Sequence, residues 1–208
     1  MRKVGPFEVL SDREREESLT AALHPGRDKI WVFAYGSLIW DRTFQNLEQT
    51  PATLTGYSRS FCVWTAQARG TPELPGLGLG LLRERQSQCK GVAIAFKLPG
   101  DRKILDSVWR REMWTGIYVP TWVQAQSPEG DVTAITFVVD TRHPQYAGDL
   151  PQHDAARHIA AAQGEFGPCR EYFFNTLETL ERGDNEFSQL NDYVRQEINK
   201  NSTPHESG

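Results

Sequence analysis

The chain has 208 residues, 38% of them hydrophobic and 24% charged, with a formal net charge of −4. That length supports one well-buried domain with embellishments, and the absence of a basic surplus argues against nucleic acid or anionic lipid as a partner. No run approaches the ~20 apolar residues of a membrane span.

Pro6, Glu8 and Asp12 stand where a signal peptide needs an apolar core. The segment SDREREES then predicts a short charged helix, capped by Ser11 or Asp12 and ending before Pro25 and Gly26, as a peripheral arm over residues 1–28. Lys29 to Tyr35 (KIWVFAY) is rich in aromatic and β-branched residues and is cut off by Gly36-Ser37, the pattern of a buried strand entering a tight turn. Further strands are predicted over Ala52–Trp64, Leu77–Leu82, Lys90–Leu98, Tyr118–Gln126 and Val132–Val139, with the loop RGTPELPG between the first two. A helix from Asp101 to Met113 interrupts them. After Asp140 the pattern turns helical, over His153–Gln163, Cys169–Arg182 and Glu186–Asn199, and the last residues, 200–208, have nothing to bury and are expected to form a disordered tail. The prediction is an α+β fold over residues 29–199, a single domain in which a small mixed β-barrel removes exposed strand edges and helices flank it.

The scattered, odd-numbered cysteines Cys62, Cys89 and Cys169 fit a reducing compartment better than a disulfide framework, so the expected location is cytoplasmic. The residue that stands out is Glu112. It lies seven, four and three residues after Leu105, Val108 and Trp109, on the apolar stripe of the predicted helix. A carboxylate there must find partners or keep its proton, as an acid/base catalyst must. The helix end adds to the upward push on its pKa, while Arg110 and Arg111 oppose it. A structural alternative is a helix-end glutamate that reaches solvent or pairs with Arg85 or Arg111. The turn Tyr35-Gly36-Ser37-Leu38 offers backbone N–H groups that can converge on an anion or a polarised carbonyl, its alternative being a plain strand-ending turn.

The segments Trp31 to Trp40, Gly56-Tyr57-Ser58-Arg59 through Phe61, Arg69-Gly70-Thr71-Pro72 with Pro75-Gly76, Arg111-Glu112, and Pro144-Gln145-Tyr146-Ala147-Gly148 occur together and in order. In this the chain resembles the ChaC family of gamma-glutamylcyclotransferases over roughly residues 30 to 196. The resemblance implies a barrel-like cyclotransferase fold, no metal or organic cofactor, and lyase cleavage of glutathione to 5-oxoproline and cysteinylglycine. It makes Glu112 the catalytic acid/base, Tyr35, Gly36, Ser37, Leu38, Ile39 and Trp40 the substrate-binding loop, and Tyr146 a further contact. The chain departs from many members at Gln67 and Ala68, where they carry an acidic residue and histidine, and in a longer Met113–Gly116 connection. Substrate preference is where these departures bear. The alternatives are a cyclotransferase for other gamma-glutamyl peptides or amines, or a non-catalytic regulatory module that binds the gamma-glutamyl group.

The chemistry is consistent with one carboxylate. The substrate's α-amine attacks its own γ-carbonyl, so a proton must leave the amine and reach the departing amide nitrogen, while a turn stabilises the oxyanion. Two other patterns read as structural. Gly76-Leu77-Gly78-Leu79-Gly80 lacks dinucleotide-binding spacing and reads as a strand that another backbone approaches, and His153 and His158 are five apart, on different sides of a helix turn. The tryptophans read as mostly core, with Trp40 and Trp114 adjoining the site. Oligomeric state leaves no sequence signal.

Overall fold

The computed structural model describes residues 3–23, 26–180 and 187–202. Its elements in chain order are α1 (Asp12–Ala22), β1 (Lys29–Ala34), a 3-10 turn (Arg42–Phe44), β2 (Gln49–Thr65), β3 (Gly76–Lys97), α2 (Arg102–Glu112), β4 (Tyr118–Ser127) and β5 (Gly130–Val139). There follow α3 (Gln152–Ala161), the short strands β6 (Gln163–Gly164) and β7 (Gly167–Pro168), α4 (Cys169–Leu180) and α5 (Ser188–Ser202). The predicted ends at Pro25, Arg182 and Glu186, and residues 203–208 of the predicted tail, lie outside the described residues, whereas 200–202, predicted as the start of that tail, continue α5 because the helix runs on to Ser202.

Five strands close into a barrel in the order β1-β3-β2-β4-β5. The barrel is mixed: β1 runs antiparallel to β3, with Val32 opposite Ile94, and parallel to β5, with Val32 opposite Ile135. The α+β barrel with flanking helices is therefore the fold. One detail of the strand prediction changes, because Leu77–Leu82 and Lys90–Leu98 are two ends of the single strand β3. Its middle, Arg83 to Gln88, is polar and mostly exposed, so the side-chain pattern lapses while the strand itself continues.

The chain divides into two compact units. One comprises Glu8–Ser60 and Gly80–His143. Its core gathers Val32, Ala34, Ile94, Phe96, Ile135 and Phe137 from the barrel with Leu105, Val108 and Trp109 from α2. Trp109 meets Phe137 edge-on at 5.1 Å, a favourable geometry for two aromatic rings. Ser11 rather than Asp12 caps α1, in a reciprocal capping box with Glu14. Leu19 of α1 is 1% exposed within the same core, and the Trp109 indole N–H donates to Ser18 Oγ at 3.3 Å. Full burial of a leucine contributes about 1.5–3 kcal/mol, so α1 is anchored on the helix that carries Glu112.

Gly91 of β3 is needed where it stands, since an added Cβ would lie 2.3 Å from the Ala34 carbonyl oxygen and 2.7 Å from the Phe33 ring. The glycine lets β3 pass the end of β1, where the site begins.

The other unit comprises residues 3–7, Phe61–Leu79 and the described residues from Pro144 onward. Phe61 stacks near Phe173 of α4 at 5.0 Å, and Trp64 meets the buried His158 of α3 at 4.8 Å. His158 Nδ1 hydrogen-bonds the Pro75 carbonyl at 2.8 Å. At Gly76 a Cβ would meet the Arg69 carbonyl oxygen at 2.4 Å, so the close backbone approach expected of the glycine-rich strand holds there. At Gly78 it does not, for the nearest atom is an ordinary 3.6 Å away.

Candidate active site

The site in the barrel unit is assembled from the end of β1 and the end of α2. Tyr35 leaves β1 buried, and its hydroxyl donates to the Phe137 carbonyl at 2.8 Å. Its own carbonyl accepts from Arg59 Nη1 at 3.2 Å, and the same nitrogen reaches the Lys90 carbonyl at 2.7 Å. Arg59 is only 4% exposed. Two buried hydrogen bonds, one from each side of the residue, thus fix the backbone that enters the loop.

Gly36 to Trp40 then turn, and the Ile39 N–H closes on the Gly36 carbonyl at 2.9 Å. Leu38 is buried in the core and Ile39 packs partly against it, so the loop is pinned by its apolar residues. Asp41 ends the loop and caps the 3-10 turn, accepting from the Thr43 N–H at 2.9 Å. Burial alone pushes the Asp41 carboxyl up, but the Thr43 hydrogen bonds and the Arg111 charge outweigh it and hold it below the usual range.

Glu112 is the last residue of α2, and its side chain is 13% exposed. It points inward as the stripe requires, because Leu105, Val108 and Trp109 beside it are buried. Burial raises its pKa, and the Arg111 charge opposes that only in part. Of the pairings the sequence left open, Arg111 is the one made, with Nε 3.6 Å from Glu112 Oε1. The helix stops at once, and Gly116 takes φ +76° in the connection that follows.

Arg111 ties the two parts together. Its Nη1 donates to Asp41 Oδ2 at 2.8 Å, and its Nη2 donates to Ser37 Oγ. The structure therefore brings Tyr35, Gly36, Ser37, Leu38, Ile39 and Trp40 into one neighbourhood with Asp41, Arg111 and Glu112. Tyr146 belongs to the other unit, where it bridges to Val63 while the Ala147 N–H bonds the Cys62 carbonyl at 2.8 Å. Its phenol pKa is raised, chiefly by burial and then by Cys62 and Asp149.

Two residues of the site escaped the sequence reading as site residues. Arg59 carried a legible signal, since it alternates with the buried Tyr57 and Phe61 and is a charge on an apolar strand face. Asp41 carried little, because its partner is 70 residues away. Trp114, expected to adjoin the site, follows the end of α2 closely and is 46% exposed, with the Arg15 guanidinium over its ring at 5.3 Å. Among the described residues no group of three or more His, Cys, Asp or Glu is arranged to hold a metal.

The closed mixed barrel with flanking helices is the fold of gamma-glutamyl cyclotransferases of known structure. The crystal structure of a yeast gamma-glutamyl cyclotransferase specific to glutathione superimposes with a TM-score of 0.75, covering 85% of this chain and all of that one at 17% identity, which speaks to fold. The profile of the ChaC-like protein family matches residues 30–197, and the chain belongs to that family. The glutathione-specific gamma-glutamylcyclotransferase of Escherichia coli (strain K12) is 36% identical over 189 residues, spanning 88% of this chain and 80% of the relative. The human glutathione-specific gamma-glutamylcyclotransferase 1 is 28% identical over 157 residues, spanning 73% and 70%.

Proposed function

We propose that this protein cleaves glutathione to 5-oxoproline and cysteinylglycine, with Glu112 as general acid/base and the Tyr35–Trp40 loop as the substrate cradle. The observation that carries this reading is the buried Glu112 carboxyl, its pKa raised, joined through the adjoining Arg111 to Ser37 and Asp41 at the loop. The names of the relatives support the substrate.

In this reaction the substrate's α-nitrogen forms a bond to the γ-carbonyl carbon, and a tetrahedral oxyanion results. Glu112 takes the proton that the attacking amine sheds. Backbone N–H groups of the loop hold the oxyanion, and collapse breaks the γ-carbon–nitrogen bond as Glu112 returns the proton to the departing cysteinyl nitrogen. One proton is moved and none is consumed, so a single carboxyl serves both transfers. Nucleophile and electrophile belong to one molecule, and Tyr35, held through both its hydroxyl and its carbonyl, supports the role of holding it bent. Tyr146 is proposed as a further substrate contact.

The test is incubation with glutathione and simultaneous detection of 5-oxoproline and cysteinylglycine in parent and Glu112→Gln proteins. Binding of glutathione by calorimetry without either product would favour a non-catalytic module instead. A second reading is a cyclotransferase for other gamma-glutamyl peptides or amines, supported by Gln67, where the resemblance implies an acidic residue and where the side-chain amide donates to Glu165 at 3.3 Å. A substrate panel decides between them. The family match over 30–197 supports residues 29–199 as the catalytic domain, with 1–28 as an added arm. No described helix is long and apolar enough to cross a membrane. A cytoplasmic location is proposed on the three buried thiols, none of them in a disulfide.

A further inference from the structure

We propose that Arg111 is a positioning residue, a three-pronged latch that holds the substrate loop against the helix end bearing Glu112. The inference rests on the role of Glu112 stated above. Each edge of the guanidinium has its own partner: Nη1 has Asp41, Nη2 has Ser37 Oγ, and Nε faces Glu112 at 3.6 Å. Asp41 and Ser37 lie on the loop, Glu112 on the helix, and one planar group spans both.

The partners are themselves fixed. Asp41 is held by the Thr43 N–H, so its grip on Arg111 is a grip on the 3-10 turn and, through it, on the end of the loop. Glu112 is held by the buried face of α2. Arg111 is 40% exposed and so is the part of this arrangement with least packing to locate it. Its hydrogen bonds locate it instead. A lysine has one charged nitrogen on a flexible stem and cannot serve three directions in a plane, so the latch needs arginine as well as charge.

The charged groups near Glu112 are Arg110 and Arg111 on its own helix and, reached through Arg111, Asp41 on the loop, while the titratable His143 ring bonds the Thr115 carbonyl at 3.1 Å. Of these, Arg111 is the one that opposes the effect of burial on Glu112. It therefore has two separable effects, loop geometry through the fork and proton affinity through the charge.

Steady-state kinetics with glutathione as a function of pH separates them in Arg111→Gln, Arg111→Lys and Asp41→Asn, with folding checked by circular dichroism. Arg111→Gln should lower kcat/KM about 10- to 100-fold and move the acid limb of the profile to higher pH, because Glu112 loses the charge that favours its ionised form. Arg111→Lys should return the acid limb toward its parent position while KM stays high. Asp41→Asn keeps a good cap for the 3-10 turn and keeps Arg111, so it tests the latch even where an Arg111 variant fails to fold. Its KM should rise with no move of the acid limb to higher pH. Arg110→Gln, the same charge change one residue away, should match the parent.

Parent-like KM and acid limb in Arg111→Gln, a parent-like KM in Asp41→Asn, or full recovery of KM in Arg111→Lys would each overturn the latch. These outcomes are distinct from failure of the Glu112 assignment, which shows as retained turnover in Glu112→Gln whatever Arg111 does.

Discussion

Glu112→Gln keeps the volume and shape of the side chain and removes only its ability to exchange a proton. Loss of a positioned general acid or base typically costs 10²–10⁴ in rate, about 2.7–5.4 kcal/mol in the barrier at ~1.36 kcal/mol per tenfold. Because the same carboxyl is proposed to handle both the attacking and the departing nitrogen, the upper half of that range is expected for 5-oxoproline release. Stability should move the other way. The ion pair lost is a 3.6 Å contact to a guanidinium 40% exposed, worth about 0–1 kcal/mol, whereas the parent must bury a carboxyl whose pKa in the folded protein lies above its unfolded value. The folded parent therefore binds more protons than the unfolded chain as pH rises from the ordinary glutamate range toward the raised value. Its stability falls across that window and levels off above it. The glutamine variant has no such fall. Initial rates with glutathione, together with urea unfolding at acidic and neutral pH, test both halves. A variant that turns over like the parent, or that loses stability relative to the parent as pH rises, would refute the assignment of a buried, proton-exchanging carboxyl.

Tyr35→Phe should destabilise the protein by about 1–3 kcal/mol, since it leaves the buried Phe137 carbonyl without its hydroxyl partner; denaturant titration reads the loss, and a change near zero would count against that bond. Gly91→Ala should cost about 1–3 kcal/mol from overpacking against Ala34 and Phe33 and lower turnover with it, because those residues lead directly into Tyr35. His158 is buried with a lowered pKa, chiefly from desolvation. The unfolded chain therefore takes up a proton first as pH falls below about 6.5, and stability present above that pH is lost toward the lowered value. His158→Gln should remove this slope, which thermal melts between pH 5 and 8, a range chosen around the ordinary imidazole value, will show.

Much of this architecture was legible because local pattern and burial coincide. The stripe Leu105, Val108, Trp109 and Glu112 marked both a helix and its inward carboxyl, and KIWVFAY followed by Gly36-Ser37 marked a buried strand and its exit. The pattern failed where burial is absent, as in the exposed middle of β3, which split one strand into two. It also failed where an interaction is long-range: nothing near Asp41 in sequence announces Arg111, and nothing near Tyr35 announces the carbonyl of Phe137. Arg59 could have been found by the reasoning that found Glu112, as a charge in register with buried neighbours, applied with a period of two instead of 3.6. The exposure of Trp114 was not legible either, since its place just beyond the end of α2 leaves the ring outside with Arg15, a residue 99 positions earlier, upon it.

The burial of Cys62, Cys89 and Cys169 has a consequence for a protein proposed to work on a thiol peptide. Glutathione and its disulfide modify proteins through exchange, which needs an accessible thiolate as attacking group or partner. Cys169 is pushed up to about 11 by burial and its sulfur is engaged with the Leu77 backbone, so it offers almost no thiolate at neutral pH. The other two thiols are shut away from solvent, each 1% exposed. The protein can thus meet high concentrations of its proposed substrate, oxidised or reduced, without forming mixed disulfides with it, and its folded state is uncoupled from the redox poise that the substrate itself sets.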